Sequence, residues 1–227
     1  MCIRDSRDNE RSLQAFQRAI EDDNCLNKRS GKSRKLTFRH LIDLYALEPD
    51  VLLFRSLTYF WMRDEAAQPL LALTMSLARD GLLAATAPFI WKAAPGSTIS
   101  RESVEQNIAS RDPDRFSPAT LKSVAQNINS SLTQSGHLIG RVKKIRQQAT
   151  PTAGSVAYAL LLGYATGVRG PELFKTLYMQ AQDAPAETCI ALAEEAARKG
   201  WINFKRVGDV MEVAFPNIVT PADMEAI

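Results

Sequence analysis

Two histidines, His40 and His137, and three cysteines, Cys2, Cys25 and Cys189, are the obvious metal ligands and nucleophile partners in this chain of 227 residues. They are widely separated and lack paired spacing, so they form no zinc or iron–sulfur ligand set, and neither histidine has a triad partner evident in the sequence. Glu194 and Glu195 are adjacent and cannot face each other as acid and base on one helix, while Asp112 and Asp114 flank a proline in a polar turn. The GKS fragment beginning at Gly31 lacks the rest of a phosphate-binding loop, and no apolar strand leads into it. These residues predict no catalytic centre, no metal site and no cofactor.

Contact with nucleic acid suits the remaining polar residues better. Within residues 116–148, FSPATLKSVAQNINSSLTQSGHLIGRVKKIRQQ, the amides of Asn127, Asn129 and Gln134 are of the type that reads adenine in a major groove. Arg141, Lys143, Lys144 and Arg146 carry the charge that meets phosphate oxygens, and Lys205 and Arg206 form a second basic pair. These are the expected DNA-binding residues, the charged ones setting affinity and the amides specificity. The competing reading is a solvated helix followed by a surface strand. His137 stands at the helix exit, where it serves either a phosphate or the structure alone.

A helix must position the amides. Ser117 is placed to cap it, Pro118 to begin it, and Leu121, Val124, Ala125, Ile128 and Leu132 recur at helical spacing. Lys122, Gln126, Asn127, Asn129 and Gln134 are expected on the outside, and the helix should stop near Gly136. The following HLIGRVKKIRQQ sets Leu138, Val142 and Ile145 loosely against Arg141, Lys143, Lys144 and Arg146, which predicts an extended or hairpin segment. A small-polar helix followed by a basic strand resembles half of a winged-helix DNA-binding module.

Upstream, a short amphipathic helix is expected over residues 9–20, then a polar linker over residues 21–37. Lys28, Arg29, Lys32, Arg34, Lys35 and Arg39 gather there with no acid among them. Thr37 is placed to cap a helix carrying Phe38, Leu41, Ile42, Leu44 and Tyr45; Pro49 starts a second helix and Pro69 a third that runs through LLALTMSLARDGLL. Pro95 and Gly96 mark a boundary, Ser100 offers a partial cap, and RDPDR at residues 111–115 is a polar turn. Downstream, residues 155–167 read as a buried helix in which Gly163 and Gly167 admit a close neighbour. Pro171 and Pro185 open further helices, with Cys189 an inert core thiol in the latter. WINFKRVGDVMEVAFPNI is the strongest strand signal, a hairpin across a Gly-Asp turn with Lys205 and Arg206 near its tip.

The chain is 45% hydrophobic and 23% charged with a formal charge of +3, an ordinary globular composition whose mild basicity permits nucleic acid without demanding it. No apolar run approaches the roughly twenty residues that span a bilayer, and no secretory signal opens the chain, so a reducing cytoplasm and no membrane association are expected. The opening MCIRDS resembles a translated adapter remnant, so Cys2 and its neighbours are given no functional weight.

The segments SSLTQSGHLIGR, YALLLGYATGVRG and GWINFKRVGDVMEVAFP resemble the C-terminal half of the small BrxA-type proteins of BREX bacterial anti-phage systems, over about residues 50 to 220. The resemblance implies a mostly helical, non-enzymatic protein connected with DNA binding inside a multi-protein defence system. The resulting expectation is a mainly α fold, a helical bundle with winged-helix-like elements and a short C-terminal β-hairpin. Its divisions are an N-terminal segment at 1–35, a helical domain at 36–112 and a winged-helix-like and helical domain at 113–227. Double-stranded DNA is the expected partner, with other phage-defence proteins beside it. A scaffold subunit of the same type of complex, and an RNA-binding or transcriptional regulatory protein, are the alternatives; oligomeric state is left open.

Overall fold

The computed structural model describes residues 12–226 and is mainly helical, with two small β elements. Ser12 caps α1 (Leu13–Gln17), which widens into a π turn over Arg18–Asp22; the start of the helix expected from residue 9 lies outside the described residues. The expected linker is overturned in its second half. Ser30 Oγ accepts a hydrogen bond from Ser33 N at 3.1 Å and starts α2 (Gly31–Tyr45) inside it, leaving Thr37 in mid-helix. Gly31 is tolerated because it occupies the first helical position, where the cap outweighs its poor propensity.

Pro49 precedes α3 (Leu52–Trp61) by a turn, and Pro69 lies in the first turn of α4 (Gln68–Arg79). The helix expected to continue through Leu83 breaks at Asp80. Its Oδ1 accepts from the backbone N–H groups of Leu82 and Leu83 at 2.9 and 3.0 Å, and so opens α5 (Gly81–Trp91). Next come β1 (Thr98–Ile99) and α6 (Arg101–Ala109), the latter capped by Ser100 as expected. Ser117 then caps α7 (Pro118–Gln134), and Gly136 at φ +86° ends it. β2 (Leu138–Ile139) and β3 (Lys144–Arg146) form an antiparallel hairpin, and β1 joins the free side of β3, giving the order β1-β3-β2.

In α8 (Ala153–Ala165) Thr152 and Ser155 exchange hydrogen bonds as a capping box, and every residue from Ala153 to Gly163 is buried. A Cβ on Gly163 would stand 3.0 Å from Thr176 Cγ2 and 3.1 Å from Leu173 Cδ2, so this glycine does admit a close neighbour. That neighbour is a 3-10 turn, Gly170–Lys175, where an α-helix was expected; Thr176 is extended (ψ 158°) and separates it from α9 (Leu177–Gln180). Pro185 precedes α10 (Ala186–Arg198), and β4 (Asn203–Val207) pairs with β5 (Val210–Ala214) across Gly208 and Asp209. The last element is α11 (Pro221–Ala226).

Buried side chains fall into two clusters. Phe54, Leu57 and Phe60 of α3, Tyr158 and Leu161 of α8, and Val213 of β5 belong to the first. The second gathers Leu83, Ile90, Ile99, Val104, Ile108, Ala125, Ile128, Leu132 and Leu138. Each fully buried large side chain contributes on the order of 2 kcal/mol. α4 serves both clusters: Leu71 and Met75 face the first, Leu73 and Leu77 the second. Position 112/113, expected as a boundary, falls between α6 and α7, which pack on each other. No helix among the described residues is long and apolar enough to cross a membrane.

Candidate nucleic-acid interface

α7 buries Ala125, Ile128 and Leu132 as its spacing predicts and turns Lys122, Ser123, Gln126 and Asn127 outward. Residues 116–148 contain no acid, so nothing on this helix or the following hairpin offsets the charge of Lys122, Arg141, Lys143 and Lys144. Beyond α7, residues 140–143 join the two strands as an exposed loop in which Val142 is 95% exposed, flanked by exposed Arg141 and Lys143. Gly140 makes the loop's tight turn: its φ is +98°, and a Cβ there would lie 2.1 Å from Lys143 O. Lys144 Nζ donates to Gly140 O at 2.7 Å and braces the turn from within.

Two residues expected at the interface are withdrawn from it. Asn129 is 5% exposed, and its Oδ1 meets no donor among the described residues. Arg146 is 3% exposed and forms a bidentate pair with Asp183, Nη2 to Oδ1 at 2.6 Å and Nη1 to Oδ2 at 2.8 Å. Its Nη2 also donates to Trp91 O at 3.2 Å. The alternation expected of this strand therefore fails at Arg146. Leu138 and Arg146 lie opposite each other facing inward, while Ile139 is 47% exposed and Ile145 half-buried. The Asp183 carboxylate on the inner side selects the inward place of Arg146.

His137 is fully buried beside this pair. One ring nitrogen lies 2.8 Å from Ser135 Oγ and the other 3.1 Å from Ala181 O. Burial lowers its pKa to about 4, a drop partly opposed by the nearby Asp183 carboxylate, so at neutral pH the ring is uncharged and structural. Cys189 is likewise buried, which pushes its thiol up to about 11 and removes thiolate chemistry.

Gln134 is exposed, yet its amide donates to Ser130 Oγ and faces a cavity of about 620 Å³ lined mainly by apolar side chains of α1, α2 and α4. Asn127 instead lines an open cleft of about 1020 Å³ between α7, the α6–α7 turn and the end of α2. Arg79, Arg111 and Arg115 share that cleft with Asp43, Asp80 and Asp112, and Arg115 pairs with Asp112 at 3.5 Å. Sequence reasoning passed over these arginines: RDPDR carried a turn signal only, and nothing in the linear order links it to Arg79.

On the second hairpin, the tip is Gly208 and Asp209 between exposed Val207 and Val210. Lys205 and Arg206 lie back along β4. Lys205 stands across from Glu212, and Arg206 pairs with Glu187 of α10 at 3.3 Å, so both charges are locally balanced. Among the described residues no group of three histidines, cysteines or acids is placed to hold a metal ion. No family model, curated protein or solved structure matches this chain.

Proposed function

We propose that this chain is a non-enzymatic, duplex-DNA-binding accessory protein of a bacterial, BREX-like phage-defence system, with α7 and the β2–β3 loop as its reading unit. The supporting observation is connectivity. From α5 to β3 the order is helix, strand, helix, helix, strand, strand, and the third strand pairs with both others, an order that supports a winged-helix-like reading. In that reading α7 enters the major groove with Ser123, Gln126 and Asn127, and Arg141 and Lys143 of the wing hold the flanking phosphates. The absence of acid from residues 116–148 favours the same reading, because it leaves the exposed lysine and arginine charges free for phosphate.

Fluorescence anisotropy against labelled duplex DNA, single-stranded DNA and duplex RNA over a salt series tests the proposal. The expected result is preferential duplex-DNA binding that weakens steeply with salt, with R141Q/K143Q lowering the slope of log affinity against log salt by about 2. No duplex binding at low salt would sink it.

A further inference from the structure

The cation cluster at residues 28–39 remains unassigned by the reading above. Lys28, Arg29, Lys32, Lys35 and Arg39 are all exposed, and among the described residues none of them forms an ion pair. Elsewhere Arg55, Arg101, Arg115, Arg146, Lys175, Lys199 and Arg206 each have a carboxylate. The cluster also runs against local electrostatics. Lys32, Lys35 and Arg39 lie at i, i+3 and i+7 on one face of α2, where like charges repel. Lys28, Arg29 and Lys32 sit at the positive end of the helix dipole, whose first turn contains no acid. Asp43 follows Arg39 by four residues, but Lys28, Arg29, Lys32 and Lys35 have no ion pair among the described residues, and such an exposed run of like charges at a helix start suits an anionic partner.

The position of α2 identifies that partner. Its C-terminal half supplies His40, Asp43 and Leu44 to the wall of the same cleft that Asn127, Ser130 and Ser131 of α7 line from the other side. A duplex lying against α7 therefore passes beside α2. At 1.5 Å per residue, Lys32 and Arg39 are about 10 Å apart along the axis, a length over which a duplex presents about six phosphates. We propose that α2 is a backbone clamp, in which Lys28, Arg29, Lys32, Lys35 and Arg39 hold phosphates of the duplex DNA engaged by α7 and the β2–β3 loop. This rests on the proposed function and extends its footprint with a sequence-independent contact.

The test is the variant K32Q/K35Q/R39Q, measured beside wild type and R141Q/K143Q against duplexes of two unrelated sequences over a salt series. Urea midpoints first establish that each variant is folded. The clamp predicts a slope reduced by about 2 to 3 in the α2 variant, equally on both sequences. Wild-type binding with a slope reduced in R141Q/K143Q but unchanged in the α2 variant overturns the clamp alone and leaves the stripe to an acidic protein surface. Absence of wild-type binding removes the reading beneath it as well.

Discussion

At the scale of single residues, Arg146 and Arg141 show how one basic cluster divides. Arg146 is inside, held by Asp183, which also accepts the Ala149 N–H at 2.9 Å. Removing one partner strands the other as a buried charge, so Asp183→Ala or Arg146→Ala should cost about 3 to 5 kcal/mol, read from urea unfolding. Arg141→Ala should change stability by less than about 0.5 kcal/mol. His137 adds a pH signature. Its folded pKa is about 4 against an ordinary 6.5, so the unfolded chain binds more protons between these values and stability falls as pH is lowered through that window. The penalty is absent above about pH 6.5 and grows as the pH falls towards 4. Urea midpoints from pH 7.5 to 4 should therefore decline, and the decline should flatten in His137→Gln; equal slopes in both would reject the assignment.

At the scale of elements, caps were legible because a cap is a local event. Ser100 and Ser117 each accept a hydrogen bond from a backbone N–H three residues on, and the sequence order alone predicts this. Ser30 has the same chemistry but lies in a stretch whose glycine and charges read as linker. The β2–β3 loop tests the reading unit at this scale. Gly140→Ala places a methyl group into Lys143 O at a left-handed backbone position, so about 1 to 3 kcal/mol of strain is expected in the hairpin. Duplex affinity should fall while the tryptophan fluorescence of the folded state stays unchanged; affinity equal to wild type would show that the loop makes no contact.

At the scale of the whole molecule, the two clusters are joined by α4 and by the Arg146–Asp183 pair, which ties β3 to the turn before α10. Such coupling predicts one cooperative transition. In a Trp61→Phe/Trp201→Phe background, Trp91 fluorescence reports the second cluster and far-UV circular dichroism the whole chain. Their urea curves should superimpose, and Asp183→Ala should separate them.

Residue order was enough for the helical class, α7 with its cap, stripe and stop, the buried α8 and the C-terminal hairpin, since each depends on periodicity or on bonds between near neighbours. Tertiary structure decided which polar groups of residues 116–148 reach solvent. Asn129 and Gln126 are alike in their chemistry along the chain, and so are Arg146 and Arg141. One of each is buried because of groups far away in sequence: the packing around α7, and a carboxylate 37 residues beyond Arg146. β1 likewise became a strand only because β3 offered it a free edge, and the C-terminal half of α2 came to line one cleft with α7 only in the folded chain. Local free energies of a kcal/mol or less select helix, turn and cap, but burial of a charge costs several, so the location of its distant partner outweighs any local preference.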